Sequence, residues 1–159
     1  MRAFLIAMAC LASSTAMAGT VEVKFIKPET FTDARDNLMR RDQVLAALSD
    51  HLKQLGTKVL PEGRSLLIEV TDVDLAGNIF PRTRSDVRVL KGRADWPRID
   101  LRFTLREGDK VLATGEEHLS DMNYLMNPLR GGQADTPLPY EARMLDTWFN
   151  ERFAATKAP

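Results

Sequence analysis

The sequence predicts a single α+β domain, in which two amphipathic helices pack on one face of a mainly antiparallel sheet of about five strands. The clearest observation is the strict alternation of apolar and polar residues from Arg98 to Arg106, the period of a half-buried strand. A turn over residues 107–109 leads into a second alternating stretch, Val111 to Glu117, so a β-hairpin is expected. Two other stretches space their apolar residues by three and four, as amphipathic helices do.

The amino-terminal part of the domain is expected to hold a strand followed by a helix. Apolar and charged residues alternate over residues 21–25, which predicts the strand. Asp36 or Asp42 is expected to cap the start of the helix, and Gly56 to close its end. The apolar stripe of this helix consists of Leu45, Leu48, Leu52 and Leu55.

A second strand is expected over residues 66–75, with a break in its alternation. Leu66, Ile68 and Val70 share one parity, whereas Val73 and Leu75 have the other. An extra residue in one strand of a pair produces such a change of phase, so we predict a bulge or bend near residues 71–72.

The remaining elements are read from turn residues and apolar spacing. Residues 76–86 predict a long connection, and residues 87–89 a short strand. Ser120 is expected to cap one turn of helix after the hairpin, and a loop rich in glycine and proline follows over residues 127–137. Pro139 suits the first position of a final helix. The stripe of that helix is formed by Tyr140, Met144, Leu145, Trp148, Phe149 and Phe153.

The register of the hairpin is predicted from side-chain volume. A three-residue loop sets Phe103 against Ala113, pairing large residues with small ones along the inner face. A two-residue loop would instead place Glu116 on that face. We therefore predict the three-residue loop, with Gly108 or Asp109 at positive φ.

Residues 1–18 have the features of a cleavable export signal. Arg2 supplies a positive start, residues 3–12 are an unbroken apolar run, and Ala16 and Ala18 provide the small residues of a cleavage site. A membrane anchor is the weaker interpretation, because about 18 or more apolar residues are needed to span a bilayer. A buried core helix is weaker still, since the run has no polar face. Cleavage after Ala18, a periplasmic location and a mature domain over residues 19–159 are expected.

Removal of that segment changes what the composition allows. Cys10 is the only cysteine, so the mature chain is expected to have no thiol for a disulfide, a metal or a nucleophile. A lipid anchor on Cys10 is disfavoured, because Ala7 stands where a leucine is usual. The chain has 22 basic and 22 acidic residues, and loss of Arg2 leaves 21 and 22. This balance argues against nucleic acid as a partner.

Asp72 and Asp74 are the candidates for catalysis. Carboxylates two apart on a strand share a face and push their pKa values apart, as an acid and base pair requires. Followed by Gly77 they also resemble the start of a calcium loop, but Ala76 occupies the third ligand position and Thr83 stands where a bidentate Glu is required. The structural interpretation, which we favour, is that they end the strand and pair with nearby arginines, Arg82, Arg84 or Arg88.

The two histidines do not predict a metal site. His51 is expected at the edge of the first helix's stripe, and His118 opposite Arg98 on the solvent side of the hairpin, with no ligand-like spacing between them. No nucleophile elbow, phosphate loop or dinucleotide fingerprint is present. No metal and no cofactor are therefore predicted.

The candidates for binding are Arg98, Arg102, Arg88 and Trp96. Arg98 and Arg102 recur with Arg106 along one strand face, and such a row, joined by Arg88, suits an anionic polymer. The alternative is neutralisation within the sheet, since the predicted register sets Glu116 diagonal to Arg98 and Arg102. Trp96 either stacks on a ligand or closes one end of the core, and we favour the core.

Four stretches, in this order, resemble the proteobacterial family of small exported proteins called domain of unknown function 3016. They are Glu69–Gly77, Arg88–Phe103, Gly115–Tyr124 and Tyr140–Phe149. The resemblance covers most of the mature chain and implies a single domain in the cell envelope, without an assigned activity, cofactor or site residue.

Two functions follow as hypotheses. The favoured one is a non-enzymatic periplasmic binding or interaction module, whose partner is an envelope protein or an anionic envelope polymer and whose mature chain has no membrane span. The alternative is a periplasmic enzyme that uses Asp72 and Asp74 on a polar substrate. An exposed patch favours the first, and a cleft lined by both aspartates favours the second.

Overall fold

Six strands and two helices follow one another in the computed structural model, which describes residues 19–35, 39–81 and 86–154. The strands are β1 (Thr20–Phe25), β2 (Arg64–Asp74), β3 (Asn78–Phe80), β4 (Val87–Val89), β5 (Arg98–Glu107) and β6 (Lys110–Ser120), and the helices are α1 (Arg41–Val59) and α2 (Pro139–Phe153). The main sheet has the order β1-β2-β5-β6, and β3 pairs with β4 as a separate antiparallel ribbon. Only the β1–β2 pair of the main sheet is parallel. The predicted α+β class and mainly antiparallel sheet are confirmed.

Both helices contribute to one core on one face of the main sheet. The strands contribute Leu66, Ile68, Val70, Ile99, Leu101, Phe103 and Leu105, all buried. The helices contribute Val44, Leu48, Leu52, Leu55, Leu145, Trp148, Phe149 and Phe153. The opposite face of β5 presents Arg98, Asp100, Arg102, Thr104 and Arg106, which are exposed or half-buried. The alternation that predicted β5 therefore places its apolar side chains in the core and its polar side chains on an open face.

The predicted bulge in β2 is present. Val70 pairs with Leu101 and Asp72 pairs with Asp100, so Thr71 is the extra residue. The bulge restores Val73 to the core and leaves Asp72 on the polar face, opposite Asp100.

The predicted register of the β5–β6 hairpin is wrong by two residues. Phe103 pairs with Gly115 rather than Ala113, and Glu107 pairs with Lys110 across a two-residue turn. The two-residue turn was rejected because it would turn Glu116 inward. Leu112 is an extra residue that changes the phase of β6, so Glu116 stays on the polar face. The expectation of positive φ at Gly108 is confirmed, with φ of 55°.

The ends of α1 differ from the prediction. Asp42 lies inside the first turn, and the residue before the helix is Arg40, whose backbone N–H donates to the Gln43 side chain at 2.9 Å. Asp36 lies outside the described residues. The helix also continues past Gly56 to Val59, so Gly56 does not end it. The glycine instead allows close packing, since a Cβ there would lie 2.2 Å from a methyl carbon of Val21.

Two connections also differ from the prediction. The segment expected as a long connection contains β3, and Ser120 belongs to β6 rather than capping a helix. Hydrogen-bonded turns follow at residues 122–126, and the loop over residues 127–137 contains a 3₁₀ turn, Gly131–Asp135. The final helix begins at Pro139, as predicted.

Candidate functional site

A cleft of about 720 Å³ lies between strand β6 and helix α2. β6 is an edge strand of the main sheet, and residues 117–121 form one wall of the cleft. Residues 143–151 of α2 form the second wall, and the loop that contains Asn127 and Arg130 forms the third. The cleft thus follows the end of an open sheet edge.

Two ion pairs join the walls and set their relative direction. Arg143 Nη2 lies 2.7 Å from Asp121 Oδ2 at one end, and Arg152 Nε lies 3.4 Å from Glu117 Oε1 at the other. β6 and α2 therefore run antiparallel along the cleft. The first pair is the more buried, with side chains 11% and 17% exposed, so it is the stronger constraint.

Arg143 also fixes the loop wall. Its Nη2 donates to the carbonyl of Tyr124 at 2.8 Å, and its Nη1 donates to the carbonyl of Asn127 at 2.5 Å. One buried guanidinium therefore holds the carboxylate of Asp121 and two backbone carbonyls. Arg143 is a structural cation of the cleft, and its donors are directed at the protein itself.

The backbone of β6 presents unpaired polar groups along the sheet edge. Asp121 N–H donates to the carbonyl of Pro97 at 3.3 Å, which makes these two residues a hydrogen-bonded pair of the β5–β6 ladder. Alternate residues of an antiparallel edge strand point their N–H and C=O groups away from the sheet. Counting back from Asp121, whose N–H points toward β5, the backbone groups that point away from the sheet belong to Thr114, Glu116, His118 and Ser120. None of them has a backbone partner beyond the sheet among the described residues.

Trp148 lines the cleft and connects it to the core. Its ring makes edge-to-face contacts with Phe149 and Phe153, at centroid distances of 5.8 and 5.5 Å. The indole is buried, and its Nε1 has no hydrogen-bond acceptor within the part of the chain that the structure describes. The cleft therefore combines an aromatic base with polar walls.

His118 is a titratable side chain on the rim of the cleft. Its Nδ1 lies 2.9 Å from Asp100 Oδ1 on β5. This hydrogen bond, with the attraction of the same carboxylate, raises the pKa of His118 above its ordinary value of 6.5. The predicted position opposite Arg98 is wrong, because the true register sets His118 against Asp100.

The catalytic candidates Asp72 and Asp74 lie on the polar face of the sheet, away from the cleft. Asp72 accepts hydrogen bonds from the backbone N–H and the hydroxyl of Thr32, both at 2.7 Å. Asp74 accepts from Arg98 Nε at 3.0 Å and from its Nη2 at 2.5 Å. Each carboxylate holds a neighbouring segment, as the structural interpretation expected, but the partners are Thr32 and Arg98. Arg82 and Arg84 lie outside the described residues.

The arginine candidates are each paired with a carboxylate. Arg98 pairs with Asp74, and Arg102 Nε lies 3.5 Å from Glu116 Oε1. Arg88 does not join this row, since it lies on the ribbon strand β4. Its Nη2 donates to Asp33 Oδ2 at 2.8 Å, and its Nη1 donates to the carbonyls of residues 76 and 77. Arg98 and Arg102 are therefore neutralised within the protein, whereas Arg106 Nη1 donates to the backbone carbonyl of Asp109 at 3.5 Å.

Two further predicted positions are now defined. Trp96 is half-buried, and the guanidinium carbon of Arg98 lies 5.1 Å from its ring centroid, a cation–π contact. His51 lies at the edge of the α1 stripe, as expected, with its Nε2 2.7 Å from Asp146 Oδ1 on α2. Asp146 also accepts from Gln133 Nε2 at 2.9 Å, so this carboxylate links both helices to the loop wall.

A buried tyrosine supports the loop wall from beneath. The hydroxyl of Tyr124 donates to Asp95 Oδ1 at 2.7 Å and accepts from the Gly92 N–H at 3.2 Å. Burial raises the pKa of Tyr124 to about 12, and the hydrogen bond to Asp95 acts in the same direction. The Tyr140 ring packs edge-on against it, with 4.9 Å between centroids. The turn after β6 is therefore anchored in the core.

The sequence analysis missed the residues that shape the cleft. Arg143 sits among the apolar residues of the α2 stripe, and a charge at a buried helical position was the signal available. Thr147 and Glu151 follow it on the same face at intervals of four. No sequence signal identified Arg130. Within the described ranges, no three His, Cys, Asp or Glu side chains group as a metal site would require. No described helix has both the length and the apolar composition of a membrane span.

Fold and cleft together define a small α+β domain with an open sheet edge beside a polar groove. A family model described as a protein of unknown function, DUF3016, matches residues 19–151, and the chain belongs to this family. The chain has no match among curated proteins and none among solved structures.

Proposed function

We propose that the chain is an exported protein of the cell envelope whose domain binds another macromolecule in the cleft between β6 and α2. The observation that carries this proposal is the open edge of β6, whose outward backbone groups border the cleft. Open edges of this length template pairing with another chain. Export rests on the positive start, the apolar run and the small residues within residues 1–18.

A binding role fits the side chains better than an enzymatic one. Asp121 and Arg143 are committed to each other, and Glu117 is paired with Arg152. Asp72 and Asp74 hold Thr32 and Arg98 on another surface. A catalytic acid or base must reach the substrate, and these carboxylates already serve as structural acceptors.

Among binding partners, a protein fits better than an anionic polymer. Arg88, Arg98 and Arg102 each have a carboxylate partner, so these three candidates offer little net positive charge. Glu151 lines the cleft itself and has no ion pair among the described residues, so it would repel a polyanion. The partner class that we propose is therefore an envelope protein.

Export is tested by the intact mass of the protein in an osmotic-shock fraction. The proposal expects a chain that begins at Gly19, released with the periplasmic contents. A product that retains residues 1–18, or one that carries lipid on Cys10, would contradict it.

Binding in the cleft is tested by site-specific photo-crosslinking in the living cell. A photoreactive amino acid at Thr147, which is exposed and lines the cleft, is expected to yield a discrete adduct with one envelope protein. Glu22 on β1, at the opposite edge of the sheet, is the matched control and is expected to yield none. Equal yields at both positions, or no adduct at Thr147, would contradict the proposal.

A further inference from the structure

We propose that the partner binds as an extended polypeptide segment, which adds to β6 as a further strand of the sheet and carries a basic side chain toward Glu151. This inference rests on the proposed function, because it names the class of ligand that the same cleft would hold.

The first argument is the spacing of the outward backbone groups. Four residues, Thr114, Glu116, His118 and Ser120, present an N–H and a C=O each at every second position. Only another extended chain repeats its donors and acceptors with that period, and strands pair at about 4.8 Å. The segment from Thr114 to Ser120 spans about 20 Å at the rise of an antiparallel strand. This is the recognition mode of strand addition, in which backbone hydrogen bonds supply affinity.

The second argument is the shape of the surroundings. The edge at His118 and Ser120 faces a cleft, whose far wall is α2. Side chains on one face of an added strand would contact Met144 and Trp148, which line this cleft. Side chains on the other face would lie beside the exposed His118 and Ser120. Alternate residues of the ligand thus meet the apolar base of the cleft and its polar rim.

The third argument is charge. Glu151 is exposed on the α2 wall and makes no ion pair with any described residue. Glu116 is 59% exposed on the edge strand, where its contact with Arg102 at 3.5 Å is a weak surface pair. A basic side chain on the α2 face of the added strand would lie near Glu151, and one on the opposite face would lie near Glu116. Opposite charges across a strand pair stabilise it.

The same charges argue against a second copy of this chain as the occupant. Pairing of two β6 edges would bring Glu116 and Glu117 of both copies onto one seam. Like charges directly opposite one another destabilise a strand pair, and acidic edges protect natural sheets from such pairing. A basic segment of a different protein avoids this repulsion.

The test uses a displayed library of random peptides of about ten residues, the length of a long strand, selected on the full chain. We expect enriched peptides with alternating apolar residues and at least one Lys or Arg. His118→Pro removes one outward N–H without removing a bond to β5, so it is expected to weaken binding of these peptides at least tenfold. His118→Ala loses the same imidazole but keeps the N–H, so it is the matched reference against which the loss in His118→Pro is measured. Glu151→Gln is expected to weaken binding of the basic peptides about twofold to fivefold.

A second measurement keeps the inference testable where the proline variant does not fold. Methylation of single backbone nitrogens of the enriched peptide, at every second residue, is expected to abolish binding to the wild-type chain. Strand addition would be overturned if the selection enriched no peptides, or if His118→Pro and His118→Ala bound the enriched peptides equally well. It would also be overturned if the methylated peptide bound as tightly as the unmethylated one. A cross-link at Thr147 to a protein whose binding survives His118→Pro would overturn strand addition alone and leave the proposed function standing. Self-association of the chain through β6 would likewise overturn the choice of partner.

Discussion

Arg143 on α2 and Asp121 after β6 form an ion pair of 2.7 Å, with side chains only 11% and 17% exposed. The pair ties the helix that covers the core to the strand at the sheet edge. Because the same guanidinium holds the carbonyls of Tyr124 and Asn127, the depth of the cleft and the path of its loop depend on one residue.

Arg143→Met is therefore expected to reduce the free energy of unfolding by about 3 kcal/mol. The substitution leaves the carboxylate of Asp121 and two carbonyls without their donor, and methionine keeps much of the side-chain volume. Urea denaturation of the wild-type and variant proteins measures the difference.

Arg152→Met is the matched control for that experiment. Its contact with Glu117 is 3.4 Å long and the Arg152 side chain is 48% exposed, so the expected cost is below about 1 kcal/mol. Equal costs for the two variants would show that the pair at Asp121 has no special weight.

Gly115→Ala tests the register of the hairpin. A Cβ at this position would lie 2.5 Å from Cε1 of the Phe103 ring, so the buried ring must shift and about 1–3 kcal/mol of stability is expected to be lost. Gly132→Ala is the control, since nothing lies within 4 Å of its added Cβ. If Gly115→Ala leaves thermal stability unchanged, Phe103 does not face Gly115.

Tyr124→Phe tests the buried network beneath the loop. It removes the donor to Asp95 and the acceptor for Gly92, and a loss of about 1–3 kcal/mol is expected.

The raised pKa of Tyr124 also predicts a dependence of stability on pH. The ordinary value is 10.0 and the folded value is about 12, so the unfolded chain loses the proton first as pH rises. Stability from this group is fully present below pH 10 and falls between pH 10 and pH 12. Urea midpoints across this pH range measure the stability contributed by the Tyr124 hydroxyl. The Tyr124→Phe variant is the reference, because it lacks this hydroxyl. Parallel curves for the two proteins would be evidence against the network.

His118 is expected to titrate above its ordinary pKa of 6.5, because Asp100 stabilises the protonated ring. The stabilising contact is fully present below pH 6.5 and is lost as pH rises through the raised pKa. An NMR titration of the His118 ring protons should show the pKa fall in Asp100→Asn and stay unchanged in Asp109→Asn. A pKa that does not respond to Asp100→Asn would contradict the observed register.

Much of the fold was predictable because each long element buries one face, and that face determines the spacing of its apolar residues in the sequence. The alternation of β5, the phase break of β2 and the stripe of α2 each reflect contact with a single core. The hairpin register was not predictable from volume alone. Leu112 adds a residue within β6, and nothing in its side chain distinguishes an inserted position from a paired one.

The cleft was harder to predict than the fold because its residues come from distant parts of the chain. Arg143 and Asp121 are 22 residues apart, and only the packing of α2 on the sheet brings them together. Asp72 and Asp74 drew attention through local spacing, which predicts a shared face and says nothing about their partners. Asp72 is bound by Thr32, which is 40 residues away in the sequence, and Asp74 is bound by Arg98, which is 24 residues away.

The most direct measurement is amide hydrogen exchange of the chain alone and in the complex isolated from the cell envelope. The N–H groups of His118 and Ser120 have no backbone partner within the described part of the free chain, so they should exchange rapidly there and slow markedly in the complex. The edge strand β1, at the other side of the sheet, should exchange at the same rate in both states. Unchanged exchange at His118 and Ser120, with slowing elsewhere, would contradict the assignment of the cleft as the binding site.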